Sequence, residues 1–191
     1  MTASAFKAYD IRGRIPSELN APLMYRIGQA TAAVLTPGTA VVGHDMRQDS
    51  PAFAQALAQG LLDSGVSVLP LGLCGTEEIY FATFHGGLDG GIMVTASHNP
   101  ADYNGMKLVR KGAQPISGDT GLRELERAVA ASTAVPEGAP QLVPTSYRAD
   151  YVQHLLGYVR TERLKPLKIV VNAGNGTAGL VVDALAPHLP F

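Results

Sequence analysis

One cysteine, Cys74, and no tryptophan stand among the 191 residues. A lone thiol excludes an intrachain disulfide framework and fits a reducing compartment. In Leu73-Cys74-Gly75 it reads as a small buried side chain rather than a reactive one. Fifteen Lys and Arg against sixteen Asp and Glu leave a formal net charge of -1. That balance excludes the broad basic footprint of a nucleic-acid binder or of a protein drawn to an anionic membrane, so any anion site must be local. No uncharged apolar run reaches the roughly 18 residues a membrane span needs. The N-terminus also lacks the basic segment and apolar core of a signal peptide, and a cytoplasmic location is expected.

What the chain does have is apolar bulk, at 46% of residues, and enough length for one good core, as one domain or one domain plus part of another. Met1 to Ala5 reads as a loose tail and Phe6 to Ile11 as a strand running into the turn Arg12-Gly13-Arg14. Asn20 caps a helix to Leu35, stopped by Pro37-Gly38, and Thr39 to Gly43 is a short strand ending in His44-Asp45-Met46-Arg47. Ser50-Pro51 is a helix start, with apolar residues at Phe53, Ala54, Leu57, Ala58, Leu61 and Leu62 forming one stripe up to Gly65. A strand at Val66 to Leu69 precedes a helix capped by Thr76, in which Glu77 and Glu78 answer the helix dipole rather than form an acid pair. A charged surface helix spans Asp119 to Ala131. Ala134 to Pro144, with three prolines, is the clearest linker, and it sets a first domain at 1-140 and the start of a second at 141-191. Beyond it come a helix from Ser146 to Val159, a strand from Lys168 to Val171, and a glycine-rich turn leading into a helix that ends near Ala186. Alternating strands and helices predict an α/β fold: a layered, mixed, mostly parallel sheet with helices on both faces.

The chain is organised around Gly90 to Arg110, GGIMVTASHNPADYNGMKLVR. Ile92-Met93-Val94 reads as a buried strand that runs straight into the loop formers Ser97, His98, Asn99 and Pro100. Asn104-Gly105 favours a tight turn, from which Met106 to Val109 returns as a second strand. The layout presents a hydroxyl on a rigid scaffold, with the cation Lys107 where the chain comes back. A serine hydroxyl needs a base, a metal ion or a cationic field to act as a nucleophile. His98 and Lys107 are the candidates at hand, although Ser97-His98 on its own also fits a plain polar turn. Strands that share a direction would gather Gly13, His44 and Ser97 at one sheet edge, where open α/β sheets bind ligands.

Thr95-Ala96-Ser97-His98-Asn99-Pro100, followed by Asp102-Tyr103-Asn104-Gly105-Met106-Lys107, resembles the phosphoserine loop of the α-D-phosphohexomutases, the family of phosphoglucomutases and phosphomannomutases. Phe6-Lys7-Ala8-Tyr9-Asp10-Ile11-Arg12-Gly13 is similar to the family's opening segment. Val170-Val171-Asn172-Ala173-Gly174-Asn175-Gly176 is similar to the start of its second domain. Three matches in family order are more specific than any one. The resemblance implies that Ser97 carries a phosphoryl group moved between O6 and O1 of a hexose through a bisphosphorylated intermediate. It implies that Arg12 and Lys107 face that charge, Arg12 with a fork of donors that fits phosphate oxygens, and that Tyr9 and Asn99 lie near the bound sugar phosphate. Lys107 and His98 both remain as proton carrier. Arg47 reads as near the cleft, with a structural role favoured.

The resemblance further implies Mg2+ held through the phosphoryl group on Ser97, and glucose 1,6-bisphosphate or mannose 1,6-bisphosphate as activator. The expected partners are mannose or glucose 1-phosphate and 6-phosphate, not nucleic acid or membrane. The family has four domains, and only the first and the beginning of the second match here. Its metal, sugar-recognition and C-terminal phosphate loops have no counterpart in these residues. The chain is therefore expected to act with missing C-terminal domains, and to bind a hard dication poorly alone, since such an ion needs several oxygen ligands. Gly72 to Glu78 resembles bacterial phosphomannomutases more than their relatives. A serine hydrolase is disfavoured because no Gly-x-Ser-x-Gly elbow surrounds Ser97. Dinucleotide binding at Gly174-x-Gly176-x-x-Gly179 is disfavoured because the acidic residue of a completed unit has no place. A non-catalytic phosphosugar-binding or assembly module is the alternative from another class.

Overall fold

The computed structural model describes residues 5-191. Four of the five residues of the expected tail lie outside that range. The fifth, Ala5, is fully buried, and its carbonyl accepts the Arg12 N–H at 2.7 Å.

Six strands form one sheet: β1 (Ile11–Arg14), β2 (Thr39–His44), β3 (Ser67–Leu73), β4 (Gly90–Val94), β5 (Tyr103–Arg110) and the two-residue β6 (Gln114–Pro115). Their order is β1-β5-β4-β2-β3, with β6 on β5. β2 pairs parallel with β3 and β4, while β5 runs antiparallel to β1, β4 and β6. Every strand but β5 therefore points the same way, and the sheet is mixed as expected. The first strand lies later than the sequence suggested. Phe6 makes only an isolated bridge to Ile11, and Arg12 and Gly13 sit inside β1, paired with Gly105 and Asn104.

The helices are α1 (Ala21–Leu35), α2 (Ser50–Asp63), α3 (Thr76–His85), α4 (Leu122–Ala130), α5 (Arg148–Leu156) and α6 (Ala178–Leu185). Asn20 caps α1 as read, accepting the Leu23 N–H at 3.0 Å. The other two caps differ by one residue. Asp49 flanks α2 and Gly75 flanks α3, because the Ser50 hydroxyl is turned inward and the Glu78 carboxylate takes the Gly75 N–H at 2.8 Å. Gly121, at φ 140°, splits the expected 119-131 helix into a short 3₁₀ turn and α4. The helix read over 146-159 keeps only its middle as α5.

Alternation along the strands divides the core in two. Ile92, Val94, Ala40, Val42, Met106 and Leu108 face α1, α2 and α4, where Leu23, Ile27, Phe53, Leu57, Leu125 and Val129 meet them. Val41 and Met93 face the other way, against Cys74, Ile79 and Ala82 at α3. Helices thus cover both faces, and each fully buried Leu or Ile contributes about 1.5–3 kcal/mol.

No strand forms at 168-171. Leu167, Ile169, Val170 and Val171 are exposed there, because no other strand among the described residues lies beside them to complete a ladder. Residues 132-147 carry no regular secondary structure.

Candidate active site

β4 ends at Val94, and the chain turns out of the sheet through a loop that the body of the protein grips tightly. Thr95 and Ala96 are buried, while Ser97 and His98 are exposed. Ser97 is one of three non-glycine residues with positive φ among those described, at 56°. A left-handed non-glycine residue costs on the order of 1–3 kcal/mol and persists only where its surroundings hold it. Here they do so on two sides. The Ser97 N–H donates to Thr95 Oγ1 at 2.9 Å, and that hydroxyl donates to Asp45 Oδ2 at 2.7 Å. From the other side Arg47 donates to the carbonyls of Ser97 (3.0 Å), Asn99 (2.6 Å), Pro100 (2.8 Å) and Tyr103 (3.0 Å). Its Nε lies 3.4 Å from Asp45 Oδ2.

Behind the loop stands a buried polar chain. Asp45 Oδ1 accepts the Ser50 hydroxyl at 2.6 Å, and Ser50 Oγ accepts Asn104 Nδ2 at 3.0 Å. Asn104 Oδ1 takes the Gly105 N–H at 2.8 Å. Asn104-Gly105 is therefore no turn. It lies inside β5, with Asn104 fully buried and Gly105 so close to β1 that a Cβ there would sit 2.1 Å from the Ile11 carbonyl oxygen. The expected structural role of Arg47 agrees with this geometry. The sequence offered Asp45, Thr95, Ser50 and Asn104 only as turn, motif and helix-start residues, not as members of this network. The usable signal was His44-Asp45-Met46-Arg47 at the end of a strand parallel to β4, which brings both loops to one edge.

The remaining candidates gather around this loop to different degrees. Ser97 Oγ lies 3.3 Å from His98 Nδ1. Arg12 NH1 donates to Asn99 Oδ1 at 2.6 Å, and its NH2 pairs with Asp10. Arg12 Nε is buried with no hydrogen-bond partner among the described residues. Lys107 stands opposite Met93, and Arg12 opposite Gly105 two residues away on β5, so both cations occupy the same sheet face. Tyr9 is 81% exposed and takes no part in the core. A cleft of about 1070 Å³ opens beside the loop, lined among others by Asp45, Met46, Ser97, His98, Asn99 and Thr177. The glycine-rich turn before α6 forms its far wall.

A divalent metal ion finds no ready cage in these residues. No group of three or more His, Cys, Asp or Glu side chains is placed to hold one among the described residues. Both carboxylate oxygens of Asp45 are already engaged, and Ser97 offers one oxygen. The donor set does not fit a hard dication.

The family profile described as phosphoglucomutase/phosphomannomutase, alpha/beta/alpha domain I, matches residues 3–135, most of the chain. The chain belongs to this family. It is 61% identical to the phosphohexose mutases protein of Xanthomonas campestris pv. campestris (strain B100) over 194 aligned residues, covering all of this chain and 43% of that protein. It is 56% identical to a phosphomannomutase of Salmonella typhimurium, covering 97% of this chain and 41% of that protein. A phosphoglucomutase/phosphomannomutase family structure from Burkholderia thailandensis superposes with a TM-score of 0.85 at 36% identity, over 99% of this chain and 43% of that one. The chain thus spans about two fifths of the length of the curated relatives it matches.

Proposed function

We propose that this chain carries the phosphoryl-relay serine of a phosphohexomutase, a phosphomannomutase and/or phosphoglucomutase that interconverts hexose 6-phosphate and hexose 1-phosphate. The observation that carries the reading is Ser97 itself: an exposed hydroxyl on a left-handed turn whose backbone is locked from two sides. In the first half-reaction the bond between phosphorus and Ser97 Oγ breaks as phosphorus bonds to the free sugar hydroxyl. The hydroxyl proton passes to the serine oxygen. In the second, the bisphosphorylated sugar gives its other phosphoryl group back to Ser97 Oγ, and the serine proton returns to the sugar.

Positioning and charge neutralisation supply most of the rate in such transfers. Arg12 and Lys107 are assigned the developing phosphoryl charge, and Tyr9 and Asn99 the sugar phosphate. His98, at 3.3 Å from Ser97 Oγ, and Lys107 are the two proton carriers to separate. Glucose 1,6-bisphosphate or mannose 1,6-bisphosphate would charge the serine. The Mg2+ that the family resemblance implies would meet this chain through the phosphoryl group on Ser97. Residues 1-140 are assigned as a first domain and 141-191 as the opening of a second. A cytoplasmic location and further domains of the same protein complete the reading.

In the full-length protein, Ser97→Ala should abolish turnover of mannose 1-phosphate and glucose 1-phosphate alike. Intact-mass and peptide analysis of the unsubstituted protein after exposure to a hexose 1,6-bisphosphate should locate one phosphoryl group on Ser97. Normal turnover in Ser97→Ala, or a stable label on another side chain, would overturn the assignment.

A further inference from the structure

We infer that Arg47 is the positioning residue for the relay serine: it sets the backbone conformation of Ser97, and through it the direction of Oγ, before any ligand arrives. The inference rests on the proposed phosphoryl relay and adds to it a residue that never touches the transferred group.

The geometry is specific to a guanidinium. Four loop carbonyls converge on its two terminal nitrogens, each of which serves two: NH1 those of Pro100 and Tyr103, NH2 those of Ser97 and Asn99. Its Nε faces Asp45. Every donor edge of the planar fork is thereby turned toward the loop or its anchor. A lysine ammonium has only three donors and cannot span the same set. Because Asp45 neutralises the cation and the carbonyls enclose it, Arg47 offers little to a phosphate, and its work is to hold the loop. The same clamp reaches a second candidate, since Asn99, whose carbonyl Arg47 holds, presents its side-chain oxygen to Arg12 NH1. Releasing the carbonyls lets Ser97 relax from positive φ and moves the nucleophile and the Arg12 contact together. A displacement of about 1 Å at a reacting atom costs roughly 100-fold in rate.

The test uses the full-length protein and its Arg47→Lys and Arg47→Ala variants. Two quantities are read: the single-turnover rate at which glucose 1,6-bisphosphate phosphorylates Ser97, followed by intact mass, and the steady-state constants for hexose 1-phosphate. We expect phosphorylation rate and kcat to fall about 100-fold in Arg47→Lys while KM stays within about twofold. Millimolar guanidinium chloride should restore part of the rate to Arg47→Ala, with equal sodium chloride inert. If Arg47→Ala does not fold, Arg47→Lys decides alone, its folding checked by thermal melting. If Arg47→Lys does not fold either, hydrogen exchange of the unsubstituted protein decides. Arg47 guanidinium N–H groups that exchange as slowly as the β4 amides uphold the clamp, since they are the donors to the four loop carbonyls, and free exchange there ends it. Wild-type phosphorylation rates in a folded Arg47→Lys, or a loss confined to KM, overturn the inference while leaving the relay intact. If the unsubstituted protein never takes phosphate on Ser97, the relay reading itself has failed, which is a separate result.

Discussion

Cys74 shows how far burial alone changes a side chain's chemistry. Its thiol lies against Met93 and under the α3 helix start, and burial, with the Glu78 carboxylate adding to it, pushes its pKa from an ordinary 9.0 up to about 12. Between those values the unfolded chain releases a proton that the folded chain keeps. The thiol's contribution to stability is whole below the unfolded value and drains away as pH climbs toward the folded one. The melting temperature of the unsubstituted protein should therefore fall more steeply than that of Cys74→Ala between about pH 8 and about pH 11. Parallel curves would mean that the thiol titrates in the folded state. Both the burial and the inertness of this residue were legible in its sequence context. Asn104 was not. Asn-Gly is read as a turn because it usually stands in water, where nothing else satisfies the amide. Here the Ser50 hydroxyl and the Gly105 N–H satisfy it inside the sheet, and Ser50 lies 54 positions away, beyond the reach of a local reading.

Helices α1 and α2 pack at a glycine contact that apolar periodicity cannot reveal. A Cβ on Gly60 would lie 2.0 Å from the Tyr25 carbonyl oxygen, and one on Gly28 would lie 2.3 Å from the Leu57 carbonyl oxygen. Both neighbours are backbone, so neither can turn aside. Gly60→Ala would gain up to about 1 kcal/mol of helix propensity but must force the two helices apart. We expect overpacking to win, with a net loss of about 1–3 kcal/mol seen as a lower urea midpoint at unchanged slope. An unchanged midpoint would show that the helices slide freely. The stripe along α2 was read from sequence with its face correct, and the small residues that let the stripe approach α1 were not. Strands failed where they lacked partners. The 168-171 segment has strand-forming residues, yet a strand exists only through its neighbour's hydrogen bonds, and the first strand moved from 6-11 to Ile11–Arg14 because β5 supplies bonds there. The edge-gathering expectation still held for the loops after β2 and β4, which parallel pairing brings side by side.

Across the whole molecule, α5 is tied back onto the α/β body after a stretch without regular structure, and one ion pair makes the principal polar tie. Arg148 Nε lies 2.9 Å from Glu78 Oε1, and its NH2 donates to the Leu73 carbonyl at 3.2 Å. The Glu78 side chain is 7% exposed and that of Arg148 27%. Aromatic contacts assist, with the Phe81 ring 5.2 Å from that of Tyr151 and 5.0 Å from that of His154. Removing Arg148 leaves a buried carboxylate with the Gly75 N–H as its remaining partner. A fully buried pair broken on one side costs about 3–5 kcal/mol. The retained N–H and the partial exposure of Arg148 lower this to about 2 kcal/mol. Because that loss falls on the junction and not on the core, Arg148→Ala should open the 132-147 segment to protease while leaving hydrogen exchange in β4 unchanged. Adding Glu78→Gln to it should recover part of the lost stability, since a neutral amide is cheaper to leave unpaired than a charge. Equal protease resistance in Arg148→Ala and the unsubstituted protein would instead assign the junction to the aromatic contacts. The far wall of the cleft beside Ser97 lies on the α5 side of that junction, so the same variant also tests how far the wall depends on the Arg148–Glu78 pair.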